Sequence, residues 1–488
     1  MPCGDLGQRL QVILRNPGIL IPKKAMTNNK ILQSSFRDPS GFLFTNQNKL
    51  YRQINQVYQK DYSELVESGL YDKLTGLNYL IPHVEVDIDP PLGAEAFKII
   101  QPEQIDFISY PYEWSFSQLK DAALLMLAIQ KIAVKYGMSL KDSSAYNIQF
   151  HPDNCKPILI DTLSFERYKE GQPWVAYRQY CQHFLAPLAL MSLTDVRLSQ
   201  LLRIHIDGIP LDLTSQLLPQ KSKLDFGLLS HIHLHAAAQK RFANQTPTQN
   251  MGARQMSKNS YLGLIDNLER TTKKLTWTPT GTEWGDYYQD TNYNDQSFEH
   301  KKTIVKDFLE FINVKSVWDL GANTGVFSRL ASQKGIATIA FDIDPAAVEK
   351  NYLGIKADLE HNLVPLVLDL TNPSPAIGWR NQERLSISQR KTPDAVIALA
   401  LVHHLAISNN VPLSSIAEYF RDLAPWLIIE FVPKNDSQVQ KLLATREDIF
   451  PQYSVKGFEK VINNYFEIEK IERTEEPERY IYLLRRKY

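Results

Sequence analysis

The segment Lys315–Gln333, KSVWDLGANTGVFSRLASQ, constrains the fold of this chain more than any other. Its apolar residues predict a short buried strand at Ser316–Trp318 and an amphipathic helix at Val326–Ser332. Between them lie Gly321 and Gly325, and glycine tolerates positive φ angles and the close approach of a ligand to the backbone. A strand, a glycine turn and a helix in this order predict an α/β domain that binds a nucleotide-like ligand.

Acidic residues flank this turn. Asp319 precedes the first glycine, and Asp342 follows the next predicted strand, Ala337–Phe341. A carboxylate at the position of Asp342 can bond both hydroxyls of a ribose. Asp319 would repel the pyrophosphate of a dinucleotide, so a cationic nucleoside is favoured over NAD. The alternative is a tight turn that binds no ligand.

The pattern Asp319, Gly321, Asn323, Gly325 resembles the first motif of class I S-adenosylmethionine-dependent methyltransferases. Asn323 stands where a glycine is common, and Asn also accepts unusual backbone angles. The resemblance implies S-adenosylmethionine as cofactor and a Rossmann-like α/β sheet of seven strands. The later elements predicted for this sheet are the helices Ala346–Tyr352 and Pro412–Leu423 and the strands Leu363–Leu368, Ala395–Leu401, Trp426–Glu430, Phe466–Ile471 and Tyr480–Leu484.

Further cofactor-binding residues follow from the same resemblance. Asp369, after the third strand, would accept a hydrogen bond from the adenine amino group, although it could instead only cap a turn. Tyr288 and Tyr293 precede the first strand, where aromatic rings can lie against a sulfonium by cation–π attraction. Ordinary packing of these rings is the alternative.

Three residues at the carboxyl ends of strands are the catalytic candidates. His403 and His404 follow the fourth strand, and Glu430 ends the fifth. Methyl transfer is a direct displacement that mainly requires positioning, and a histidine there could take a proton from the acceptor near neutral pH. Glu430 could orient the substrate. Structural support for the histidines and an exposed strand end for Glu430 are the alternatives.

The first half of the chain carries a second constellation. Asp142 and Asn147 are separated by four residues, and a predicted hairpin then leads to Asp161. This spacing resembles protein-kinase-like phosphotransferases of the aminoglycoside and choline type. The resemblance implies that Asp142 orients an acceptor hydroxyl while Asn147 and Asp161 hold Mg²⁺ against ATP. Three polar turn residues at an accidental spacing are the alternative.

The kinase-like pattern is incomplete. A long predicted helix, Phe116–Tyr136, follows the segment Phe107–Ser115, which lies where a hinge between lobes would be. A glycine-rich loop is not visible, however, and the lysine that would contact the ATP phosphates is not identifiable. Lys49 or Arg52 would have to serve, with Glu64 or Glu67 as partner.

The composition along the chain predicts how it divides into domains. The polar stretch Gln239–Ser260 predicts a linker, so we expect a kinase-like α+β domain at 1–235, a linker at 236–280 and a methyltransferase domain at 281–488. The 54 basic and 54 acidic residues cancel, so neither nucleic acid nor a membrane is expected as a partner. Three scattered cysteines favour a reducing, cytoplasmic location.

As a whole, the chain resembles a bacterial family of nodulation-protein-like methyltransferases. The leading hypothesis is an S-adenosylmethionine-dependent methyltransferase for a small molecule or saccharide, whose kinase-like domain binds or phosphorylates the same substrate. A small-molecule kinase with a cofactor-sensing second domain is the alternative. A non-catalytic scaffold is a third hypothesis.

Overall fold

The structure is a computed structural model of the chain, and it describes residues 29–242, 255–280, 282, 295–444, 446–474 and 478–487. The helices are α1 (Gln59–Glu67), α2 (Leu70–Gly76), α3 (Phe116–Lys135), α4 (Tyr177–Tyr180), α5 (Ala186–Leu193), α6 (Leu201–Ile204), α7 (Leu211–Leu217), α8 (Phe226–Leu228), α9 (His235–Phe242), α10 (Lys258–Lys274), α11 (Asp295–Ile312), α12 (Val326–Ser332), α13 (Pro345–Asp358), α14 (Leu413–Leu423), α15 (Ser437–Leu443) and α16 (Val455–Ile462). The strands are β1 (Lys30–Ile31), β2 (Gly41–Asn46), β3 (Lys49–Asn55), β4 (His83–Val86), β5 (Ala96–Pro102), β6 (Met138–Leu140), β7 (Ile148–Phe150), β8 (Pro157–Leu159), β9 (Phe165–Arg167), β10 (Ser316–Leu320), β11 (Ala337–Asp342), β12 (Leu363–Val367), β13 (Ala395–Ala398), β14 (Trp426–Phe431), β15 (Phe466–Thr474) and β16 (Arg479–Arg486). None of the helices within these residues combines the length and the apolar character needed to cross a membrane.

The C-terminal part is built on one seven-stranded sheet with the order β12-β11-β10-β13-β14-β16-β15. The five strands from β12 to β14 are parallel, and β16 inserts antiparallel between β14 and β15. The parallel strands are almost wholly buried because helices cover both faces, which explains their continuous apolar runs. In an open sheet of this kind, ligands bind at the carboxyl edge where the strand order reverses, here between β10 and β13.

Most predicted elements of this part agree with the structure within a few residues, and α12 has the predicted bounds. The fourth strand is shorter than expected, since β13 ends at Ala398 rather than at Leu401. Ala400 has a φ of 50°, a left-handed conformation that a strand cannot continue through.

The N-terminal part has an antiparallel five-stranded sheet, ordered β1-β2-β3-β5-β4, followed by a mainly helical region. The helix α3 begins at Phe116 as predicted, and Ser115 caps it by accepting a hydrogen bond from the Gln118 backbone N–H. Two short ladders, β6–β9 and β7–β8, follow α3 and carry the turn that contains Asp142 and Asn147.

The predicted linker at 236–280 is wrong for its second half. There the chain forms α10, whose Tyr261, Ile265 and Leu268 are buried. The Tyr261 hydroxyl accepts a 2.8 Å hydrogen bond from Gln130 of α3, so α10 is a core helix of the N-terminal part. Its polar residues lie on the exposed face of an amphipathic helix, and this made the stretch resemble a linker.

The two parts share an extensive, partly charged contact. At its centre Glu113 and Arg390 form an ion pair at 2.5 Å with both side chains buried. On one flank, Ser117 of α3 donates its backbone N–H to Glu349 of α13 at 2.9 Å. Breaking a buried pair from one side leaves a buried charge without a partner, so this contact fixes the two parts together.

We expect Glu113→Gln to lower the free energy of unfolding by about 3–5 kcal/mol, because Arg390 would stay buried without its countercharge. The double change Glu113→Gln with Arg390→Met should recover part of that loss in urea denaturation. A matched control is Arg485→Met, which breaks half-exposed surface pairs and should cost at most about 1 kcal/mol. Equal losses of unfolding free energy in Glu113→Gln and in Arg485→Met would contradict this prediction.

Candidate active site

The glycine turn lies at the carboxyl end of β10 and adopts the backbone that the sequence predicted. Gly321, Asn323 and Gly325 have φ values of 78°, 50° and 80°. A Cβ atom on Gly325 would lie 2.5 Å from the Asn351 amide nitrogen. The packing of α12 on α13 therefore demands glycine at 325, whereas at Gly321 the demand comes from the φ angle.

Two buried carboxylates lie beside this turn. Asp319 accepts a 2.6 Å hydrogen bond from the Ser328 hydroxyl, and burial together with Asp342 raises its pKa to about 7. Asp342 accepts backbone hydrogen bonds from Asn323 at 2.7 Å and Asp344 at 2.8 Å, and burial raises its pKa to about 6. Both carboxylates are held by neutral donors in a dry environment, where a cationic ligand stabilises the ionised form.

The third acidic residue predicted to bind the cofactor, Asp369, lies at the same edge of the sheet. The Leu368 backbone N–H donates to the Asp342 carbonyl at 2.8 Å, which places the end of β12 beside the end of β11. Asp369 also caps its own turn by accepting from the Thr371 N–H at 2.8 Å and hydroxyl at 2.7 Å. Contact with adenine stays a prediction. Tyr288 and Tyr293 lie outside the described residues.

The two candidate histidines lie together after β13, with ring centroids 4.2 Å apart. His403 is 2% exposed, and burial followed by the neighbouring His404 holds its pKa well below the usual range. Burial and Arg479 lower the pKa of His404 to about 4. The expected pKa near neutrality is therefore corrected: both rings are neutral at pH 7, so they can accept a hydrogen bond but bind a proton only weakly.

Glu430 is not placed to contact a substrate. Its side chain is fully buried and accepts hydrogen bonds from the Lys301 amine at 2.6 Å and the Ala400 backbone N–H at 2.7 Å. Arg479 lies 3.4 Å away and also bonds Asp436 at 2.8 Å. Glu430 thus holds the backbone at Ala400, whose left-handed conformation precedes the histidine pair.

Sequence reasoning missed the network around Glu430. Arg479 is fully buried at the start of β16, and its only signal was a charge next to the apolar run YIYLL. Lys301 looked like an ordinary charge on an amphipathic helix. Neither position could be connected to Glu430 without the fold, because the contacts join distant parts of the chain.

The structure also brings together the candidates of the N-terminal part. The Asn147 amide donates to the Ser164 hydroxyl at 3.3 Å, and that hydroxyl donates to Asp161 at 3.0 Å. Asn147 also hydrogen-bonds to the Asp142 carboxylate, whose pKa is raised by burial and by Asp161.

The basic partner in this cluster is Arg52, one of the two candidates named from the sequence. It contacts Asp161 at 2.5 Å and Asp38 at 3.0 Å. These two carboxylates take the role expected of Glu64 or Glu67, and Lys49 is exposed. Within the described residues, no three His, Cys, Asp or Glu side chains are grouped to hold a metal.

If β10 is counted as strand 1 and β16 as strand 7, the strand order of the C-terminal sheet is 3-2-1-4-5-7-6. This order, with acidic residues at the ends of the first two strands and a glycine turn between them, defines the class I S-adenosylmethionine-dependent methyltransferase fold for the C-terminal part. Over most of the chain, a relative at 34% identity is the nodulation protein NoeA of Rhizobium meliloti (strain 1021). The alignment spans 431 residues, which is 87% of this chain and 89% of that protein. The chain belongs to the NoeA family. No protein-family model matches it.

Solved structures resemble less than half of the chain. Magnesium protoporphyrin IX methyltransferase (ChlM) from Synechocystis PCC 6803, with bound SAH, is 19% identical over 42% of this chain and 93% of its own, with a TM-score of 0.31. The N-methyltransferase NodS from Bradyrhizobium japonicum WM9 is 8% identical over 40% of this chain and 99% of its own, with a TM-score of 0.29. The assignment of the fold rests on strand order and not on these scores.

We expect Asp319→Asn to stabilise the ligand-free protein at pH 8 and to change it little at pH 4. Because the folded-state pKa of Asp319 is raised from 3.8 to about 7, its ionisation destabilises the fold as pH rises through that range. Melting temperatures measured from pH 4 to 8 should therefore diverge between variant and wild type. Asp307→Asn, an exposed change on α11, is the control and should show no divergence. Parallel curves for Asp319→Asn would contradict the raised pKa.

Proposed function

We propose that this chain is an S-adenosylmethionine-dependent methyltransferase that acts on a small-molecule or saccharide acceptor. The observation that carries the proposal is the pair of buried carboxylates, Asp319 and Asp342, around the left-handed glycine turn. Two parts of the cofactor suit this arrangement. The methionine portion carries a sulfonium and an ammonium, and the ribose carries two hydroxyls.

The residues at this edge divide the work of binding. Asp342 would hold the ribose hydroxyls, Asp369 the adenine amino group, and Asp319 the cationic portion beside the turn. When bound, the cofactor supplies a methyl group made electrophilic by a sulfonium. The chain's own task is then to orient the acceptor toward that position and to keep water out.

His404 is the group we assign to the acceptor. It is less deeply buried than His403 and lies at the end of β13, next to the ligand edge. As a neutral ring it can accept a hydrogen bond from a hydroxyl or amine and so fix the direction of its lone pair. His403 and Glu430 are more deeply buried and would support His404 from the side of the core. The balanced charge of the chain favours an acceptor without strong charge.

A small-molecule kinase with a cofactor-sensing second domain is the second candidate. It is favoured by the clustering of Asp142, Asn147 and Asp161 in the N-terminal part. The ion pair between Asp161 and Arg52 opposes it. We therefore propose that methyl transfer, and not phosphotransfer, is the activity of the protein.

Isothermal titration should detect S-adenosylmethionine binding to the wild type and none to Asp342→Ala, because the ribose would lose its carboxylate partner. Asp307→Ala, an exposed aspartate on α11, is the matched control and should bind like wild type. The loss should be accompanied by an unchanged far-UV spectrum. Binding that survives Asp342→Ala unaltered would remove the basis of the proposal.

His404→Asn should leave cofactor affinity unchanged and lower the turnover of methyl transfer by about 10²-fold, as expected when the acceptor is no longer held in its reactive orientation. The assay follows transfer of tritiated methyl to a panel of neutral saccharides and small alcohols and amines. His361→Asn, exposed at the amino end of β12, serves as control. Equal turnover in the two variants would exclude His404 from the acceptor site.

A further inference from the structure

The N-terminal acidic cluster raises a question separate from methyl transfer, namely whether it accepts the magnesium nucleotide that its spacing suggests. We propose that it does not: the cluster is a self-filled site in which the Arg52 guanidinium takes the place of a divalent cation. On this proposal the N-terminal part serves as a rigid support for the methyltransferase domain. The evidence comes from the partners of the carboxylates, of the neighbouring lysine and of the predicted hinge.

Both oxygens of the Asp161 carboxylate already have partners. One oxygen contacts Arg52 at 2.5 Å and accepts the Leu163 backbone N–H at 2.9 Å. The other accepts the Ser164 hydroxyl at 3.0 Å. Arg52 is 7% exposed and is held from its other side by Asp38 at 3.0 Å. A magnesium ion would have to displace this guanidinium from Asp161, so one of the two ion pairs of a buried arginine would be lost.

The second carboxylate, Asp142, is also occupied, in its case by neutral donors. Asp142 accepts the Ser144 backbone N–H at 2.8 Å and hydrogen bonds from the Asn147 and Gln179 side chains. The adjacent Lys141 donates to the Ser40 hydroxyl at 2.6 Å, just before β2. This contact ties the first hairpin of the N-terminal sheet down onto the turn that carries the acidic residues. The place where phosphates would lie is therefore bridged by the chain itself.

Backbone groups of the predicted hinge also already form internal hydrogen bonds. The Gln149 side chain, which is 1% exposed, accepts the Ser109 backbone N–H at 2.8 Å and donates to the Ser109 carbonyl at 2.9 Å. The preceding carbonyl, of Ile108, accepts from Arg390 of the methyltransferase domain at 2.9 Å. An adenine ring needs a backbone N–H and carbonyl of this kind, and here a glutamine amide and an arginine already use them.

These contacts replace each part of a bound magnesium nucleotide with a side chain of the protein. Arg52 replaces the cation, Lys141 and Ser40 bridge the space of the phosphates, and Gln149 bonds the hinge. Arg390 connects this arrangement to the second domain, because it bonds both the hinge and Glu113. The N-terminal part is consequently fixed in one arrangement, as suits a support.

Two measurements on the full chain test the proposal. Titration of the wild type with Mg-ATP, and with MgCl₂ alone, should give no binding heat and no change in melting temperature, while a cooperative melting transition shows that the same sample is folded. Asp161→Asn should lower the melting temperature by several degrees without any ligand, and Arg52→Met in the same chain should recover part of that loss. Asp72→Asn, exposed on α2, is the control and should have no effect.

Two results would overturn the proposal. The first is a wild type stabilised by Mg-ATP but not by ATP with EDTA. The second is Asp161→Asn melting like the wild type, since a ligand-holding carboxylate is not needed by the empty fold. The wild-type titration decides the matter even where Asp161→Asn fails to fold. Neither result depends on S-adenosylmethionine binding at Asp342, so this proposal and the proposed function can fail separately.

Discussion

The buried carboxylate of Glu430 is the interaction on which the methyltransferase site depends. It lies on β14 and bonds the backbone after β13, the amine of Lys301 on α11 and the guanidinium of Arg479 on β16. Removing any one partner would leave an uncompensated charge in a dry interior, so the four elements are held in one arrangement. The hydrogen bond to Glu430 holds the backbone at Ala400, whose left-handed conformation precedes the histidine pair.

Much of the C-terminal fold could be predicted from the sequence because its strands are continuous apolar runs and its helices are regularly amphipathic. The bounds of α12 and the start of β10 follow directly from such patterns. In α10 this pattern was harder to recognise, since its three buried apolar side chains, Tyr261, Ile265 and Leu268, are spaced among polar residues in a stretch that begins without any period. Composition dominated there, and a core helix was taken for part of a linker.

The candidate site was predictable only in part. Asp319, Gly321, Gly325 and Asp342 form a local motif, and local motifs can be recognised from spacing. The roles of Glu430 and the histidines depend on burial and on Arg479, which is 49 positions from Glu430. The pKa of a histidine depends on what surrounds it in space, so a ring at a strand end was expected to titrate near neutrality and is instead kept neutral.

The two acidic clusters of the chain differ in what donates to them, and our two proposals attribute a ligand site to one cluster and a structural role to the other on this difference. Asp319 and Asp342 are held by a hydroxyl and by backbone N–H groups, so their charge is not cancelled by a direct ion pair within the described residues. Asp161 is paired with a guanidinium at 2.5 Å. A carboxylate without a direct ion pair still gains from a cationic ligand, whereas one already paired with arginine would have to lose that pair first. Similar spacings of acidic residues can therefore lead to opposite functions, and the donor opposite each carboxylate decides which one results.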